Sequence, residues 1–372
     1  MDNKKRYFLA SAGIGILAVV LLTASNIMGG QIQLNQRMLI QGIGVDARED
    51  GVLVSVHISE PLEEGKVLLE QAEGDTVLSA LDNLVQRTGK VPLYSHNLVV
   101  VFGEECARTG LDRYLDFFVR YYETRPSVSL FLAEGEAREI FEFQKEEQYL
   151  DDEILVRISE SGKENGWMVQ TRVIDFVNQQ YGEGSSPYLP VLSIQDDTLE
   201  ATGTAVFQND VSCGTLSSEE SRVLLLLTKP LSGGQIVTEL PETGKITLSI
   251  RSGSSYIQSE IKDGVPFFTI NVSFTLSVSS MEKGVTEEEP LLQTLSSQLE
   301  EEIRGQIEKV LQKTLQQLHT DPVGFGRLLM QQQTAWWKAH RENWEDWMEK
   351  AQFSIQTQAE VGRIETEFFP AG

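Results

Sequence analysis

The chain has 372 residues, of which 41% are hydrophobic and 23% are charged, values that are ordinary for a globular protein. Its 55 acidic residues outnumber its 31 basic residues and give a formal net charge of −24. This charge argues against a nucleic-acid partner, because phosphate binding needs a basic surface, and against wide contact with anionic lipid headgroups. The length predicts two or three domains.

The N-terminal segment is predicted to be a membrane anchor. Lys4, Lys5 and Arg6 precede an apolar run at 8–22 that holds no charge. As a helix, the segment at 7–28 reaches roughly 30 Å, which is enough to cross a hydrocarbon core. Basic residues stay on the cytoplasmic side, so the rest of the chain is expected outside. The residues that we expect in the bilayer are Phe8, Ile14, Ile16, Leu17, Val19, Val20, Leu21 and Leu22.

A cleaved secretory signal is the alternative for this segment, since Thr23-Ala24-Ser25 is an acceptable small-residue cleavage site. The sequence Leu22-Thr23-Ala24-Ser25 has the form of a bacterial lipoprotein cleavage box in which Ser25 stands where the lipidated cysteine would be. A hydroxyl group cannot form the thioether, so that lipid anchor is not available. We therefore favour an uncleaved single-pass anchor.

The part of the chain after the anchor is predicted to be a layered α/β unit, because segments of strand and helix periodicity alternate. Its apolar run at 98–102 is typical of a buried strand. The predicted elements are two strands at 38–45 and 52–59 joined as a hairpin, a helix at 76–88, a strand at 98–102, a helix at 111–122 and a strand at 128–132.

A run of turn-forming residues at 182–187, Gly-Glu-Gly-Ser-Ser-Pro, follows a charged and mostly helical segment at 136–181. Such a run is typical of a boundary between domains. We therefore predict three parts: a cytoplasmic basic tip with the transmembrane anchor at 1–30, an N-terminal α/β domain at 31–190 and a strand-rich C-terminal domain at 191–372.

The C-terminal part is predicted to contain mainly strands and one long helix. Ser217 and Glu220 form a capping box before an apolar helix at 223–227, and a second box at 286–289 begins a helix that runs to His319. The single apolar stripe of that helix drifts more than a strict heptad, so we expect it to pack on a sheet. The predicted strands lie at 201–207, 235–239, 245–252, 256–262, 267–279 and 353–369. The fold class is therefore α+β, with several sheets flanked by helices.

No sequence pattern predicts a catalytic or metal site. The acidic runs at 151–153 and 300–302 lack the ligand spacing of a calcium loop and are expected to be solvated helix faces. Cys106 and Cys213 show no framework spacing, so we expect two buried free thiols and no disulfide. We accordingly expect no enzymatic activity and no cofactor. The four histidines lack the paired spacing of metal ligands; they are His57, His96, His319 and His340.

A tryptophan-rich segment near the C-terminus is our candidate surface for a partner protein. Indole groups are favoured at interfaces, and a helix would place Trp336, His340 and Trp344 on one face. The alternative is that the aromatic side chains fix this helix to its own domain. The preceding segment at 321–326 predicts a helix start, with Asp321 as the cap and Pro322 at the first helical position. The candidate residues are Trp336, Trp337, Trp344 and Trp347.

Several short motifs follow one another in a fixed order. They are Gly42-Ile43-Gly44-Val45-Asp46, the run from Gly89-Lys90 through Tyr94-Ser95-His96 to Glu105, Gly203-Thr204-Ala205-Val206-Phe207, Gly214-Thr215-Leu216-Ser217 with Glu220-Ser221-Arg222, and Asp321-Pro322-Val323-Gly324-Phe325-Gly326 with Trp337 and Trp344. Their order resembles the C subunit of bacterial spore germinant receptors, the GerAC-like family, over nearly everything from Arg37 onward. The chain departs from the family at Ser25, where the family has its lipidated cysteine, and at Thr215, where the family has tryptophan.

The resemblance implies a subunit on the outer face of the inner spore membrane of a Gram-positive spore-former. There it would assemble with the membrane-embedded A and B subunits, which sense small nutrients such as amino acids and sugars. The resemblance also implies a mixed α/β fold and no catalytic residues. We therefore expect a non-enzymatic subunit for assembly or signal relay during spore germination. The alternative, an extracytoplasmic membrane-anchored protein that binds small ligands, would need a pocket with polar groups between the two predicted domains.

Overall fold

A computed structural model describes residues 37–59, 67–146, 152–283 and 288–362. The predicted anchor at 1–30, with Ser25, lies outside the described residues, as does Thr286 of the second predicted capping box. Within the described ranges, no helix is both long enough and apolar enough to cross a membrane.

Ten strands form the larger sheet, in the order β10-β9-β8-β6-β5-β1-β2-β3, with β4 paired to β1 and β7 to β6. The central neighbours β8, β6, β5 and β1 run parallel, and the outer strands are antiparallel. The predicted hairpin at 38–59 is confirmed as β1 and β2. The ten strands are β1 (Arg37–Arg48), β2 (Gly51–Ser59), β3 (Val67–Gly74), β4 (Val91–Leu93), β5 (Val99–Phe102), β6 (Ser129–Ala133), β7 (Thr171–Arg172), β8 (Tyr188–Gln195), β9 (Thr198–Gln208) and β10 (Val211–Ser217).

Helices cover both faces of the larger sheet. In β5, Val100 packs into the core on one face and Val101 packs into the core on the other, which explains the continuous apolar run of this parallel strand. The predicted helix at 76–88 is confirmed; Thr76 caps it, and Gly89 ends it in the left-handed conformation. The helices are α1 (Val77–Thr88), α2 (Glu104–Thr109), α3 (Asp112–Arg120), α4 (Ala137–Glu146), α5 (Glu153–Asn165) and α6 (Val173–Gln180).

The smaller sheet has the strand order β11-β12-β13-β14, and its last two strands are parallel. The strands are β11 (Gln235–Leu240), β12 (Gly244–Lys262), β13 (Val265–Met281) and β14 (Gln352–Gly362). The helices of this unit are α7 (Ser218–Thr228), α8 (Glu288–Leu311) with a π-helical extension at Gln312–Gln317, α9 (Phe325–Gln332), α10 (Thr334–His340) and α11 (Trp344–Lys350).

The long helix α8 packs on the smaller sheet, as its apolar stripe predicts. Leu295, Leu299 and Ile307 lie in one core cluster with Phe268 and Ile270 of β13. This cluster also contains most of the apolar side chains of α7, whose predicted capping box between Ser217 and Glu220 is confirmed.

Two predictions of strand boundaries in this region are wrong. The predicted strands at 245–252 and 256–262 form the single strand β12, which passes through Gly253. A β carbon at Gly253 would lie 2.8 Å from the ring of Phe274, so glycine here marks close packing inside a strand and not a turn.

The larger sheet continues past the boundary that the sequence suggests. Strands β9 and β10 extend it to Ser217, and Tyr188 and Val206 of this sheet lie in the core cluster of the smaller sheet. The larger sheet with α1–α6 is called the first unit below, and the smaller sheet with α7–α11 is called the second unit. The predicted domain division at 190–191 stays a prediction.

Candidate functional site at the junction of the two units

The segment at 182–187, called the linker below, is fixed to the start of α9. The carbonyl of Gly184 accepts the N–H of Arg327 at 2.8 Å, and the N–H of Ser186 donates to the carbonyl of Asp321 at 2.8 Å. The Ser186 hydroxyl accepts the N–H of Asp321, also at 2.8 Å. The predicted boundary segment is therefore a bonded contact between the two units.

The carboxylate of Asp321 organises the loop that receives the linker. Asp321 is only 1% exposed, and its side chain accepts the N–H groups of Gly324, Phe325 and Gly326 at 2.8, 2.9 and 2.8 Å. These donors stand at the beginning of α9, where no carbonyl of the preceding turn is available. The Asp321 carboxylate thus satisfies the first donors of α9, but the residue at the cap position is Gly324, so the prediction that Asp321 is the cap residue is wrong. The prediction that Pro322 is the first helical residue is wrong, because α9 begins at Phe325.

Two glycines allow the linker and the loop to touch. A β carbon at Gly184, whose φ is +74°, would lie 2.4 Å from the carbonyl carbon of Gly326. A β carbon at Gly326 would lie 2.7 Å from Cα of Gly184, 2.8 Å from the Trp337 ring and 2.9 Å from Nε1 of Trp344. The glycine at the end of the loop motif is therefore required by backbone contact.

Gly326→Ala is expected to lower the free energy of unfolding by about 2–3 kcal/mol, because the added methyl group must displace the linker backbone and two indole rings. The matched control is Gly305→Ala in α8, where no heavy atom lies within 4 Å of the added carbon. That change should stabilise the helix by up to about 1 kcal/mol. Denaturant unfolding followed by tryptophan fluorescence measures both, and equal effects would contradict the packing described here.

Two of the four candidate tryptophans belong to this junction. Trp337 is 2% exposed, and its Nε1 donates to a carboxylate oxygen of Glu183 in the linker at 3.2 Å. The same Glu183 pairs with Arg341 at 2.5 Å. Trp344 packs edge-on against Trp337, with ring centroids 5.5 Å apart. The interpretation of an aromatic segment that is fixed to its own chain holds for this pair, and in part for Trp336, whose Nε1 donates to the carbonyl of Gly264 at 3.2 Å.

The other two tryptophans form a half-buried surface cluster. Trp336 stacks on His340 with centroids 4.3 Å apart and meets the Trp347 ring at 5.3 Å. The predicted common face of Trp336, His340 and Trp344 is wrong, because a tight turn at Arg341–Asn343 separates α10 from α11 and brings Trp347 next to Trp336. Trp336, His340 and Trp347 are called the tryptophan face below.

Two clefts border the linker. The first, of about 660 Å³, lies between the linker and helices α10 and α11, and its lining includes Glu183, Asp321 and Trp344. The second, of about 560 Å³, lies between α6, the end of α7, β12 and α9. The polar side chains that line the second cleft include Asp175, Gln179, Lys229, Tyr256, Arg327 and Gln332.

The second cleft has more positive than negative charge, in contrast to the chain as a whole. Its carboxylate, Asp175, is already paired with Arg172 at 2.7 Å. Arg327 donates to the hydroxyl of Ser185, and Lys229 makes no ion pair in the described part of the chain. Lys229 and Asp175 also interact electrostatically across the cleft, so a negatively charged group bound here would meet two cationic side chains and one carboxylate.

The first motif of the chain lies against a buried pair of side chains, His57 and Asp152. His57 Nδ1 is 3.1 and 3.2 Å from the two carboxylate oxygens of Asp152, and its Nε2 is 3.2 Å from the carbonyl of Phe141. Both side chains are 0% exposed. A β carbon at Gly42 would lie 2.7 Å from the Asp152 carboxylate, so glycine is needed there. The predicted solvated face at 151–153 is therefore wrong for Asp152, because tertiary contact buries it.

A second buried carboxylate, that of Asp46 in β1, binds the first N–H groups of helix α4. It accepts the N–H groups of Ala137 at 2.6 Å and Arg138 at 2.9 Å. A β carbon at Gly103 would lie 2.3 Å from an oxygen of Asp46. Burial raises the pKa of Asp46 to about 6. The role of these motif residues is to join β1, β5 and α4.

The two cysteines and the possible metal ligands show no arrangement for catalysis in the described part of the chain. Cys106 and Cys213 are free thiols, as predicted, although Cys213 is only half-buried. Burial raises the pKa of Cys106 to about 12, so this thiol is a poor nucleophile. Within the ranges that the structure describes, no three His, Cys, Asp or Glu side chains are grouped so that they could hold a metal ion.

A family model described as "Spore germination protein N-terminal domain" matches residues 30–194, and one described as "Spore germination B3/ GerAC like, C-terminal" matches residues 202–365. Spore germination protein B3 of Bacillus subtilis is 23% identical over 294 residues, which cover 76% of this chain and 77% of that protein. Spore germination protein GerQC of Bacillus cereus is 21% identical over 311 residues, which cover 80% and 83%.

The fold is also similar to a solved structure. The crystal structure of the GerBC protein matches with a TM-score of 0.60 at 20% identity and covers 86% of this chain and 96% of that chain. This similarity concerns the mixed arrangement of sheets and helices described above.

Proposed function

This chain belongs to the GerAC-like family of spore germination proteins, and we propose that it is the non-enzymatic C subunit of a nutrient germinant receptor. The family gives it a role in spore germination. We propose that the subunit assembles with the A and B membrane subunits and relays their signal. The predicted N-terminal helix would hold the chain on the outer face of the inner spore membrane.

The observation that carries the proposal is that the family motifs of this chain make contacts between structural elements and between the two units. The motif at 321–326, with Trp337 and Trp344, fixes the linker between the two units. The motif at 42–46 joins β1 to α4 and α5. Residues that join elements and units in this way suit a subunit whose rigid shape is recognised by partners.

The tryptophan face is the surface that we propose for a partner subunit. Trp336 and Trp347 are half-buried, and Lys350 lies 5.1 Å from the Trp347 ring centroid. Large amphipathic rings that keep part of their area in solvent are enriched among the residues that dominate binding energy at interfaces. Trp337 of α10 packs edge-on against Trp344 of α11, so this pair connects the two helices that carry the face.

The double variant Trp336→Ala, Trp347→Ala is expected to lower the affinity for the A and B subunits at least about tenfold, because interface tryptophans carry a large share of binding energy. Its melting temperature should fall much less than that of Trp337→Ala, which removes a buried ring. Co-purification of tagged full-length protein from spore membranes measures the first effect, and thermal unfolding measures the second. Normal co-purification with a strongly lowered melting temperature would assign the tryptophan face to the protein's own core.

A second candidate function, binding of a small ligand, is favoured by the second cleft. Polar side chains from both units meet there, and Lys229 and Arg327 would neutralise a carboxylate group. Binding in this position would connect the two units through the ligand.

Isothermal titration of the full-length chain in detergent with amino acids and sugars tests this candidate. A ligand that binds here should carry a carboxylate, and Lys229→Ala should weaken it about tenfold. Lys338→Ala, which changes an exposed lysine of α10 that does not line the second cleft, is the control. If none of the compounds gave binding heat, the small-ligand function would be contradicted and the role in partner binding would remain.

A further inference from the structure

One face of the smaller sheet is open and its centre is uncharged. Three neighbouring strands place nine uncharged polar residues in register on this face. Because side chains at every second position share a face, the rows run across β12, β13 and β14. The rows are Gln258, Thr269 and Ser354; Tyr256, Asn271 and Gln356; and Ser254, Ser273 and Gln358. These nine residues are called the polar grid below.

The opposite face of the same strands is the one that packs against helices. There Ser255 donates to the carbonyl of Leu226 in α7, and Thr357 donates to the carbonyl of Glu300 in α8. On the polar grid, by contrast, every residue is exposed or half-buried, and Tyr256 is 60% exposed. A shallow depression of about 480 Å³ is lined in part by the grid residues of the two last rows.

The size and chemistry of the polar grid restrict its ligand. The three rows span four residue intervals along each strand and the grid spans three neighbouring strands, which gives an area of about 13 Å by about 10 Å. Amide and hydroxyl side chains supply both donors and acceptors over this area, and Tyr256 adds an aromatic ring with a polar end. A surface of this kind is complementary to a ligand that is uncharged and rich in hydroxyl groups.

Charge and polarity argue against other ligands. The polar grid itself holds no charged residue, and the rows on either side of it carry Glu260 and Glu360, so this face does not attract phosphate groups or acidic peptides. Stable interfaces between proteins have an apolar or aromatic centre. The grid offers a single ring, that of Tyr256, and the rest of its side chains are small or polar; the nearest further ring, Phe267 in the next row, is covered by Lys262 at 3.3 Å.

From this geometry we propose that the polar grid binds a neutral glycan. Amide groups of Asn271 and Gln356 form hydrogen bonds with ring hydroxyls, and the Tyr256 ring packs against the apolar face of a sugar unit. The flat arrangement over three strands suits an extended polymer chain better than a single sugar. This function is independent of the contact with receptor subunits through the tryptophan face.

The test is titration of the full-length protein in detergent with the hexamer of N-acetylglucosamine and with cellohexaose. Saturable binding of at least one of these neutral glycans, with a dissociation constant of about 1 mM or lower, is expected. The double variant Gln356→Ala, Gln358→Ala should weaken binding about tenfold, and Tyr256→Ala should do the same. Tyr122→Ala is the matched control, since Tyr122 is an exposed tyrosine of the first unit.

The outcomes separate clearly. Weaker binding in both grid variants together with unchanged binding in Tyr122→Ala supports the proposal. Absence of saturable binding to either glycan overturns it, and so does binding that all three variants retain. Since Gln356 and Gln358 are exposed, a folding defect is not expected in the double variant, and an unchanged melting temperature checks this point.

Discussion

Asp321→Ala is expected to lower the free energy of unfolding by about 3–5 kcal/mol. The change leaves three N–H groups without their acceptor, those of Gly324, Phe325 and Gly326, and a buried donor without a partner costs about 1–3 kcal/mol. The loop at 321–326 also holds the linker, so the contact between the two units should loosen at the same time. Denaturant unfolding measures the loss of stability, and limited proteolysis at the linker measures the loosening.

Two variants serve as controls for Asp321→Ala. Asp321→Asn keeps one acceptor oxygen and should lose less stability than the alanine variant. Asp346→Ala changes an exposed carboxylate of α11 and should alter the free energy of unfolding by less than about 0.5 kcal/mol. If Asp321→Ala were as mild as Asp346→Ala, the carboxylate would not be organising the loop.

The same carboxylate predicts a pH dependence. Burial raises the pKa of Asp321 to about 6 in the folded protein from the ordinary value of 3.8. The folded state therefore binds the proton more tightly than the unfolded state, and the contribution of this group to the free energy of unfolding falls as pH rises from about 4 to about 6. Asp321→Asn should flatten that part of the stability curve. If Asp321→Asn kept the full pH dependence of the free energy of unfolding, that dependence would come from other groups.

His57→Ala is the second change with a large expected effect, a loss of about 3–5 kcal/mol in the free energy of unfolding. It leaves the fully buried carboxylate of Asp152 without its partner, and breaking a buried pair by removing one member is strongly destabilising. It also leaves a cavity beside the Phe141 ring, whose centroid lies 4.5 Å from that of His57. Thermal or denaturant unfolding measures the loss.

His96→Ala is the matched control for His57→Ala, because His96 is exposed. Its effect should stay within about 0.5 kcal/mol. Similar values for the two histidine variants would mean that the pair with Asp152 contributes little to the stability of the first unit.

Local periodicity was enough to predict much of the fold. The hairpin β1–β2, helix α1 and the apolar stripe of α8 follow from rules that act within a few residues. Strand β8 was not predicted, because Pro190 lies inside it and lacks the N–H that an ordinary ladder needs. The structure accommodates Pro190 because pairing with β6 involves only Val191 and Leu192.

The candidate site depended on contacts between distant segments, and these were harder to predict. Sequence patterns indicate Asp321 and the tryptophans as candidate residues. No pattern within either segment indicates that the linker at 182–187 packs on Gly326. Asp152 looked like part of a solvated acidic run, because its partner His57 lies 95 positions away. The glycines at 42 and 326 were the signals that could have indicated close contacts, since each stands where a β carbon would meet another segment.

The polar grid shows a related limit of sequence patterns. Alternation in β12, β13 and β14 predicts which side chains leave the core, but not which of them become neighbours. Only the register between strands brings Tyr256, Asn271 and Gln356 into one row. Surface chemistry that depends on three strands is therefore visible only in the folded chain.

Deletion of this gene in a spore-forming bacterium that carries it, with fractionation of a tagged copy, tests the central claim most directly. A receptor subunit predicts that the mutant spores lose their response to a specific nutrient and that the full-length tagged protein is found in the inner spore membrane. Normal nutrient-triggered germination, or a tagged protein found in vegetative cells, would contradict the proposed receptor function and would mean that the fold serves another role in this protein.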